Sequence, residues 1–249
     1  MNAPDQRFSL IMLSYNSSNY LFKAIKSVIA QTYKNWELVI SDDNSTDESM
    51  DIIEYFASKD NRIKVNQNPT QLGIPKNRKV AFDMTTGDII GHLDGDDMLF
   101  PYTLSTVVQH MPENVGLAYS DLVWINEQDE IIDYSKNKNE LNSLGWRHFT
   151  CYRRWAYENT EGYNTLLVSA CEDGDLFMQI ANSSPYIHLP FVLYRYRCHS
   201  KNSQKNNKQC DICSERPVCN YVRIWAKENN MDHITWTPLT KETNHERSS

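Results

Sequence analysis

The chain opens its ordered pattern with "FSLIMLSYN", an apolar run of strand length that stops at a polar turn. The segment behind it, "YLFKAIKSVIAQ", changes period. Leu21, Phe22, Ile25, Val28 and Ile29 recur at helical spacing, with Ser17, Ser18 and Asn19 available as caps. "WELVISDD" predicts a second strand. In "NSTDESMDIIEYFASK", Ser45 stands three residues before Glu48, a capping-box spacing, ahead of a stripe at Met50, Ile53, Phe56 and Ala57. "RIKVNQN" predicts a third strand. "PKNRKVAFDMTTG" predicts a helix with Pro75 at its start and Gly87 past its end. "DIIGHLD" is a fourth strand and "PYTLSTVVQHM" a further helix.

Strands alternating with helices over residues 1–113 predict a Rossmann-like, mostly parallel α/β sheet with helices on both faces. In such sheets ligands bind beyond the carboxyl ends of the strands. Two acidic clusters fall at such ends: "SDDNSTD" after the second strand and "GHLDGDDMLFP" at the fourth. After residue 113 the pattern turns antiparallel. "VGLAYSDLVWIN" and "EIIDYS" read as strands joined by a turn, "EDGDLFMQIAN" as a helix with an acidic first turn, and "YIHLPFVLYRYR" as a strand.

The chain has 249 residues, 40% of them apolar, enough for one sizeable core. Its formal net charge of −7 argues against nucleic acid as a partner, since that affinity comes mainly from Lys and Arg on phosphates. No stretch approaches the roughly 20 apolar residues of a membrane span, and "LIML" is too short for the core of a signal peptide. No transmembrane segment and a cytoplasmic location are therefore expected.

The order of motifs resembles the family 2 glycosyltransferases of the GT-A fold. "SLIMLSYNSSNYLFKAIKSVIAQTYKNWELVISDDNSTDES" looks like the opening of that family. "NPTQLGIPKNRKVAFDMTTGDIIGHLDGDDMLFP" resembles its arginine helix and Asp-x-Asp segment. "YRRWAYENTEGYNTLLVSACEDGDLFMQIA" is similar to its acceptor and catalytic-base segment, and "YRYRCHSKNS" to its closing His loop. The matches run in order over residues 8–203. The resemblance implies transfer of a sugar from a nucleotide-diphosphate sugar, a UDP-sugar first, to a hydroxyl of a glycan or other acceptor. It implies Mn²⁺ or Mg²⁺ as cofactor. Displacement at the anomeric carbon needs one base and one leaving-group stabiliser, and an inverting reaction follows from that pair.

The residue roles implied by the resemblance have a physical logic. Asp96 would ligate the metal and Asp94 would face the ribose or the metal's waters, because hard carboxylate oxygens suit these cations. A solvated acidic turn with Asp97 as a helix cap is the alternative. Asp43 would accept a base N–H and Asp42 would support the loop, although Asp43, Asn44 and Ser45 can also cap the next helix. Arg78 would lie near the nucleotide, and the backbone of Ser14, Tyr15 and Asn16 would line its pocket. Lys79 stands where the family often has Asn. Asp173 would be the general base and Glu172 its support or an acceptor contact, against a reading as ordinary helix-start acidity. Gly174 replaces a residue that is often bulky in the family, opening the acceptor floor. His199 would reach back to the metal or diphosphate, with Arg195, Arg197 and Lys201 near enough to meet phosphate.

The tail departs from the family. Cys198, Cys210, Cys213 and Cys219 could hold a structural Zn²⁺, pair as disulfides or remain thiols. The expected division is a GT-A domain over 1–203, with a nucleotide half (1–113) and an acceptor half (114–203), then a Cys-rich extension over 204–249. Trp146, Tyr152, Trp155 and Tyr163 are core residues or sugar-stacking faces of the acceptor half. A single-addition enzyme is expected over a processive synthase, because a Gln-x-x-Arg-Trp motif is absent. Two rivals stay open: a nucleotidyltransferase, and a non-catalytic sugar- or nucleotide-binding scaffold on the same fold.

Overall fold

The computed structural model describes residues 6–135, 149–167 and 172–199. Its sheet starts at β1 (Phe8–Ser14), whose seven residues are almost wholly buried. A strand buried on both faces needs apolar residues at consecutive positions rather than at alternate ones, and "FSLIMLS" supplies them. Parallel partners flank it: β2 (Trp36–Asp42) pairs Phe8 with Trp36, and β4 (Ile89–Asp94) pairs Phe8 with Ile89. β3 (Ile63–Gln67) lies outside β2. The crossovers are α1 (Ser18–Ile29), α2 (Ser49–Ala57) and α3 (Ile74–Asp83).

The second half is built from shorter, mixed pairings. β5 (Met98–Leu99) and α4 (Thr103–His110) follow β4, then β6 (Leu117–Ile125), β7 (Ile131–Ser135), β8 (Thr150–Arg153), α5 (Arg154–Glu158), α6 (Glu172–Ser183) and β9 (Tyr186–Arg197). The order across the sheet is β3-β2-β1-β4-β8-β6-β9-β5, with β7 on β6. β8 sits antiparallel between β4 and β6. β9 runs parallel along all of β6, so β7 and β8 share the other edge of β6.

Residues of alternate parity separate the two cores. Leu10, Met12, Leu38 and Ile40 join Leu21, Ile53, Phe56 and Leu104 on one face. Ile11, Val39 and Ile90 join Ala81, Phe82, Leu176, Phe177 and Ile180 on the other. Each fully buried aliphatic side chain of this kind contributes roughly 1.5–3 kcal/mol. Gly91 is required by packing, since a Cβ there would lie 2.6 Å from the Phe149 ring. The Glu37 carboxylate is buried in the sheet, where it takes donors from Ser9, Thr86 and Lys64 and pairs with Arg7.

Some local expectations are corrected. α2 begins at Ser49, and the Ser45–Glu48 capping box does not form, because the Ser45 amide and hydroxyl bind the Asp42 carboxylate at 2.8 and 2.6 Å. α3 ends at Asp83, and Gly87 instead lets the chain pass β1, where a Cβ would lie 2.7 Å from the Arg7 carbonyl oxygen. Residues Met1–Cys198 form one compact unit, and a second begins at His199. Among the described residues no helix is long and apolar enough to cross a membrane.

Candidate active site

The ends of β1 and β2 are knitted together by their turns. The Asp43 amide donates to the Ser14 carbonyl at 2.8 Å. Asn16, in the left-handed region at φ 49°, gives its amide to Ser45 Oγ and takes the Thr46 amide on its own side chain, both at 2.9 Å. Tyr15 is 48% exposed beside them. Asp43 is buried and holds the entrance to α3: Leu72 N and Asn68 Nδ2 donate to Oδ1 at 2.8 and 2.9 Å, and Gly73 N to Oδ2 at 2.9 Å. Gly73 has φ 82°, which allows its amide to turn inward. Asn77 and Ser41 complete this buried polar layer.

The turn after β4 sorts its three acids. Asp97 is 1% exposed, accepting from the Tyr194 hydroxyl at 2.8 Å and the Arg197 amide at 2.7 Å. Burial, then the charges of Asp96 and Asp94, push its carboxyl well above the usual range. It caps no helix. Asp94, with its side chain 35% exposed, and Asp96, also partly exposed, remain toward solvent. Arg197 is spent on structure: its guanidinium binds the Asp96 carbonyl at 2.8 Å, the Asn126 carbonyl at 2.9 Å and the Asp129 carboxylate at 2.6 Å. The expected phosphate contact from Arg197 is thereby overturned. Arg195 stacks its guanidinium over Phe100 at 4.3 Å, while Lys201 lies outside the described residues.

Arg78 brings the two halves together. Its Nε donates to Glu172 Oε1 at 2.8 Å, and its Nη2 lies 4.0 Å from Asp94 Oδ1. Burial opposes the charge on Arg78, but Glu172, Asp94 and Asp173 outweigh it and strengthen the protonated form. Burial raises the Glu172 carboxyl, with Arg78 working against that rise. Asp173 is partly exposed in the next position, with Oδ1 2.7 Å from the Gly174 amide. Behind the pair, the His92 ring, the Tyr163 hydroxyl and the Tyr152 hydroxyl form a buried chain with 2.7 Å links. Lys79 faces away and pairs with Asp83 at 2.6 Å.

The structure therefore gathers Asp94, Arg78, Glu172 and Asp173 on one side of the β4 end, and Asp42, Asp43 and residues 14–16 at the β1 and β2 ends. His199 opens the second unit. Cys198 closes the first, and Cys210, Cys213, Cys219 and Trp146 lie outside the described residues. Tyr152 and Tyr163 are core residues. Trp155 lines a cleft with Gln6, Asp88 and Glu113 at the amino ends of β1 and β4, the end of the strands away from these carboxylates. Asn68, Asn77 and Tyr194 carry no signal in the sequence that would single them out for the site, because a lone Asn or Tyr has no spacing to mark it.

The donor chemistry fits a hard divalent cation. Asp94 and Asp96 offer carboxylate oxygens at a strand end, and no group of three or more His, Cys, Asp or Glu is placed to hold a metal ion by itself among the described residues. One or two carboxylates, with the remaining positions left to phosphate and water, is the usual protein share for Mg²⁺ bound with a nucleotide.

A curled α/β sheet with acids at its parallel strand ends is the GT-A architecture of nucleotide-sugar transferases. The family model described as Glycosyl transferase family 2 matches residues 9–168, and the chain belongs to that family. It is similar to chondroitin synthase from Escherichia coli, 26% identical over 217 residues, covering 83% of this chain and 31% of the relative. It is 28% identical over 203 residues to the GalNAc(5)-diNAcBac-PP-undecaprenol beta-1,3-glucosyltransferase of Campylobacter jejuni, covering 76% and 64%. The chain thus spans less than two thirds of the length of either relative. The crystal structure of S. aureus TarS 1-349 in complex with UDP-GlcNAc superposes with a TM-score of 0.73 at 19% identity, covering 91% of this chain and 67% of that one. That likeness shows the fold.

Proposed function

We propose that the chain transfers a sugar from a UDP-sugar to a hydroxyl of a glycan or related acceptor, with inversion and with Mn²⁺ or Mg²⁺ held by Asp96 and Asp94. The observation that carries this reading is Arg78, which reaches from Asp94 at the β4 end to Glu172 at the start of α6, beside Asp173. The bound cation would offset charge developing on the diphosphate as the glycosidic bond breaks. Asp43 would accept the base N–H: a carboxylate has about four lone-pair positions, and three are taken by Leu72, Gly73 and Asn68. Asp173 would take the proton from the acceptor hydroxyl as its oxygen bonds to the anomeric carbon and the bond to diphosphate breaks. A UDP-GlcNAc complex of TarS and a complex of the mannosyltransferase PcManGT with GDP-Man and Mn²⁺ support a nucleotide-sugar and a cation on this fold.

The test is hydrolysis and transfer measured across UDP-, GDP- and dTDP-sugars with and without Mn²⁺. Cation-dependent turnover of a UDP-sugar supports the reading. Turnover of another nucleotide-sugar alone would move the donor, and nucleotide binding without turnover of any donor would favour the scaffold.

A further inference from the structure

We propose that the cleft at the amino ends of β1 and β4 binds an uncharged oligosaccharide, with Trp155 as the surface on which a sugar ring stacks. The cleft has a volume of about 680 Å³, within the range of small-ligand sites. Trp155 is 38% exposed in its lining. Asp88, Glu113 and Glu158 are exposed around it, with Gln6 and a half-buried Arg154 beside them. Arg153 is buried and gives Nε and Nη2 to the carbonyls of Pro112 and Met111. Its Nη1 donates to no described residue, and the Glu113 and Glu158 carboxylates accept from none. The lining is held from behind. The Arg154 guanidinium binds the Gly87 carbonyl at 2.9 Å and Thr85 Oγ1 at 2.8 Å, and the Asp88 carboxylate takes the Arg7 amide at 2.8 Å. A cleft whose groups are already fixed spends less of its binding energy on ordering them.

The mixture of groups selects the ligand. Three carboxylates against two guanidiniums disfavour a phosphate, a nucleotide or a uronate. The two arginines disfavour a free cation in turn. Trp155 is the one large apolar side chain among the described residues of the lining, so a lipid chain would meet a single apolar surface. A saccharide answers every group at once. Each hydroxyl donates to a carboxylate or accepts from a guanidinium or amide, and the C–H face of the ring covers the indole. The place is separate from the donor site. β4 runs six residues from Ile89, next to Asp88, to Asp94, and at about 3.3 Å per residue some ~17 Å of strand lies between the two. A sugar in this cleft is therefore neither the donor nor the hydroxyl that attacks. It is a distant stretch of a glycan chain, and holding it raises the local concentration of the end that reacts. That use rests on the transferase reading, whereas the binding rests on the cleft alone.

The experiment uses the full chain labelled with ¹⁵N-tryptophan, the Trp155 indole signal being identified by its loss in Trp155→Phe. The probes are uncharged tetrasaccharides of glucose, of galactose and of N-acetylglucosamine, a uronate-containing tetrasaccharide, and inorganic phosphate. Affinity is read on the saccharide by saturation-transfer NMR. At least one uncharged tetrasaccharide should shift the Trp155 indole saturably, and UDP with Mn²⁺ should leave that shift unchanged. Trp155→Ala should weaken binding on the order of tenfold, the worth of one aromatic stack. Glu158→Gln should weaken it about fivefold, the worth of one hydrogen bond. Both variants should keep the donor hydrolysis of wild type. No shift with any uncharged tetrasaccharide overturns the proposal, and so does preference for phosphate or the uronate. Binding that UDP displaces, or that Trp155→Ala leaves unchanged, puts the sugar elsewhere and overturns it too. Should Trp155→Ala fail to fold, unchanged binding in Glu158→Gln, on the exposed rim, overturns it. Wild type that binds a tetrasaccharide at Trp155 but turns over no donor keeps this site and rejects the transferase reading. Turnover without any Trp155 shift does the reverse.

Discussion

The Tyr194 hydroxyl donates to Asp97 Oδ2 at 2.8 Å, and this bond ties β9 to the turn that ends β4. The same hydroxyl takes the Asp94 amide at 3.3 Å. One acid of the "DGDD" cluster is therefore a buried anchor, and its neighbours are left facing outward.

Tyr194→Phe should lower stability by about 1–2 kcal/mol, because a buried carboxyl loses a donor that nothing replaces. Thermal melts of Tyr194→Phe and Asp96→Ala separate the two kinds of acid. The first should melt clearly lower, and the second should match wild type within the roughly 0.5 kcal/mol of an ordinary surface change. Equal melting of Tyr194→Phe and wild type would show that the anchor carries no load.

Asp96→Ala should remove the Mn²⁺-dependent part of UDP stabilisation while the fold stays intact. At a UDP concentration about 100 times its Kd, that part is worth up to about 2.7 kcal/mol in wild type. Differential scanning calorimetry with UDP, with and without Mn²⁺, reads it directly. A variant that keeps the full metal response would place the cation elsewhere.

Asp173→Asn should bind UDP normally and lose roughly 10²–10⁴-fold in kcat, the range attributed to a positioned general base. Its Oδ1 accepts only the neighbouring Gly174 amide among the described residues, at 2.7 Å, so the substitution should cost little stability. Near-normal turnover would remove Asp173 from the chemistry.

Glu37 sets an acid limit on the sheet. Burial opposes its ionisation, but the donors Lys64, Ser9 and Thr86, with Arg7, hold its carboxyl at about 2, below an ordinary value of 4.5. The depressed group stabilises the fold fully above pH 4.5 and loses that contribution as pH falls toward 2. Arg7 and Lys64 are 41% and 34% exposed, so screening trims the effect to on the order of 2 kcal/mol. Urea unfolding of wild type and Glu37→Gln should show a gap at pH 6 that narrows at pH 3. A gap of constant size would mean the carboxylate is not the acid-sensitive group.

The parallel half was legible from its sequence. "FSLIMLS", "WELVISD" and "DIIGHLD" place apolar residues at neighbouring as well as alternate positions, the pattern that burial on both faces demands locally. The acids at the ends of these strands were legible for the same reason, because a strand end fixes where the next residues emerge. What the sequence could not express lies in contacts between distant segments. β5 has only two residues, and β8 only four, so neither carries a period; they are strands because β9 and the pair β4 and β6 offer them edges. Ser45 and Glu48 carry a capping signal that loses to the Asp42 carboxylate, a stronger acceptor brought alongside by the turn after β2. Asp94, Asp96 and Asp97 are three like acids in the sequence, and only Tyr194 and the Arg197 amide, about a hundred positions away, decide which one turns inward. Arg78 and Glu172 are separated by 94 positions, and their pairing exists because α3 and α6 share one face of the sheet. Local periodicity is set by neighbours along the chain, whereas the partner of a buried charge is set by whichever counter-ion the fold carries within reach.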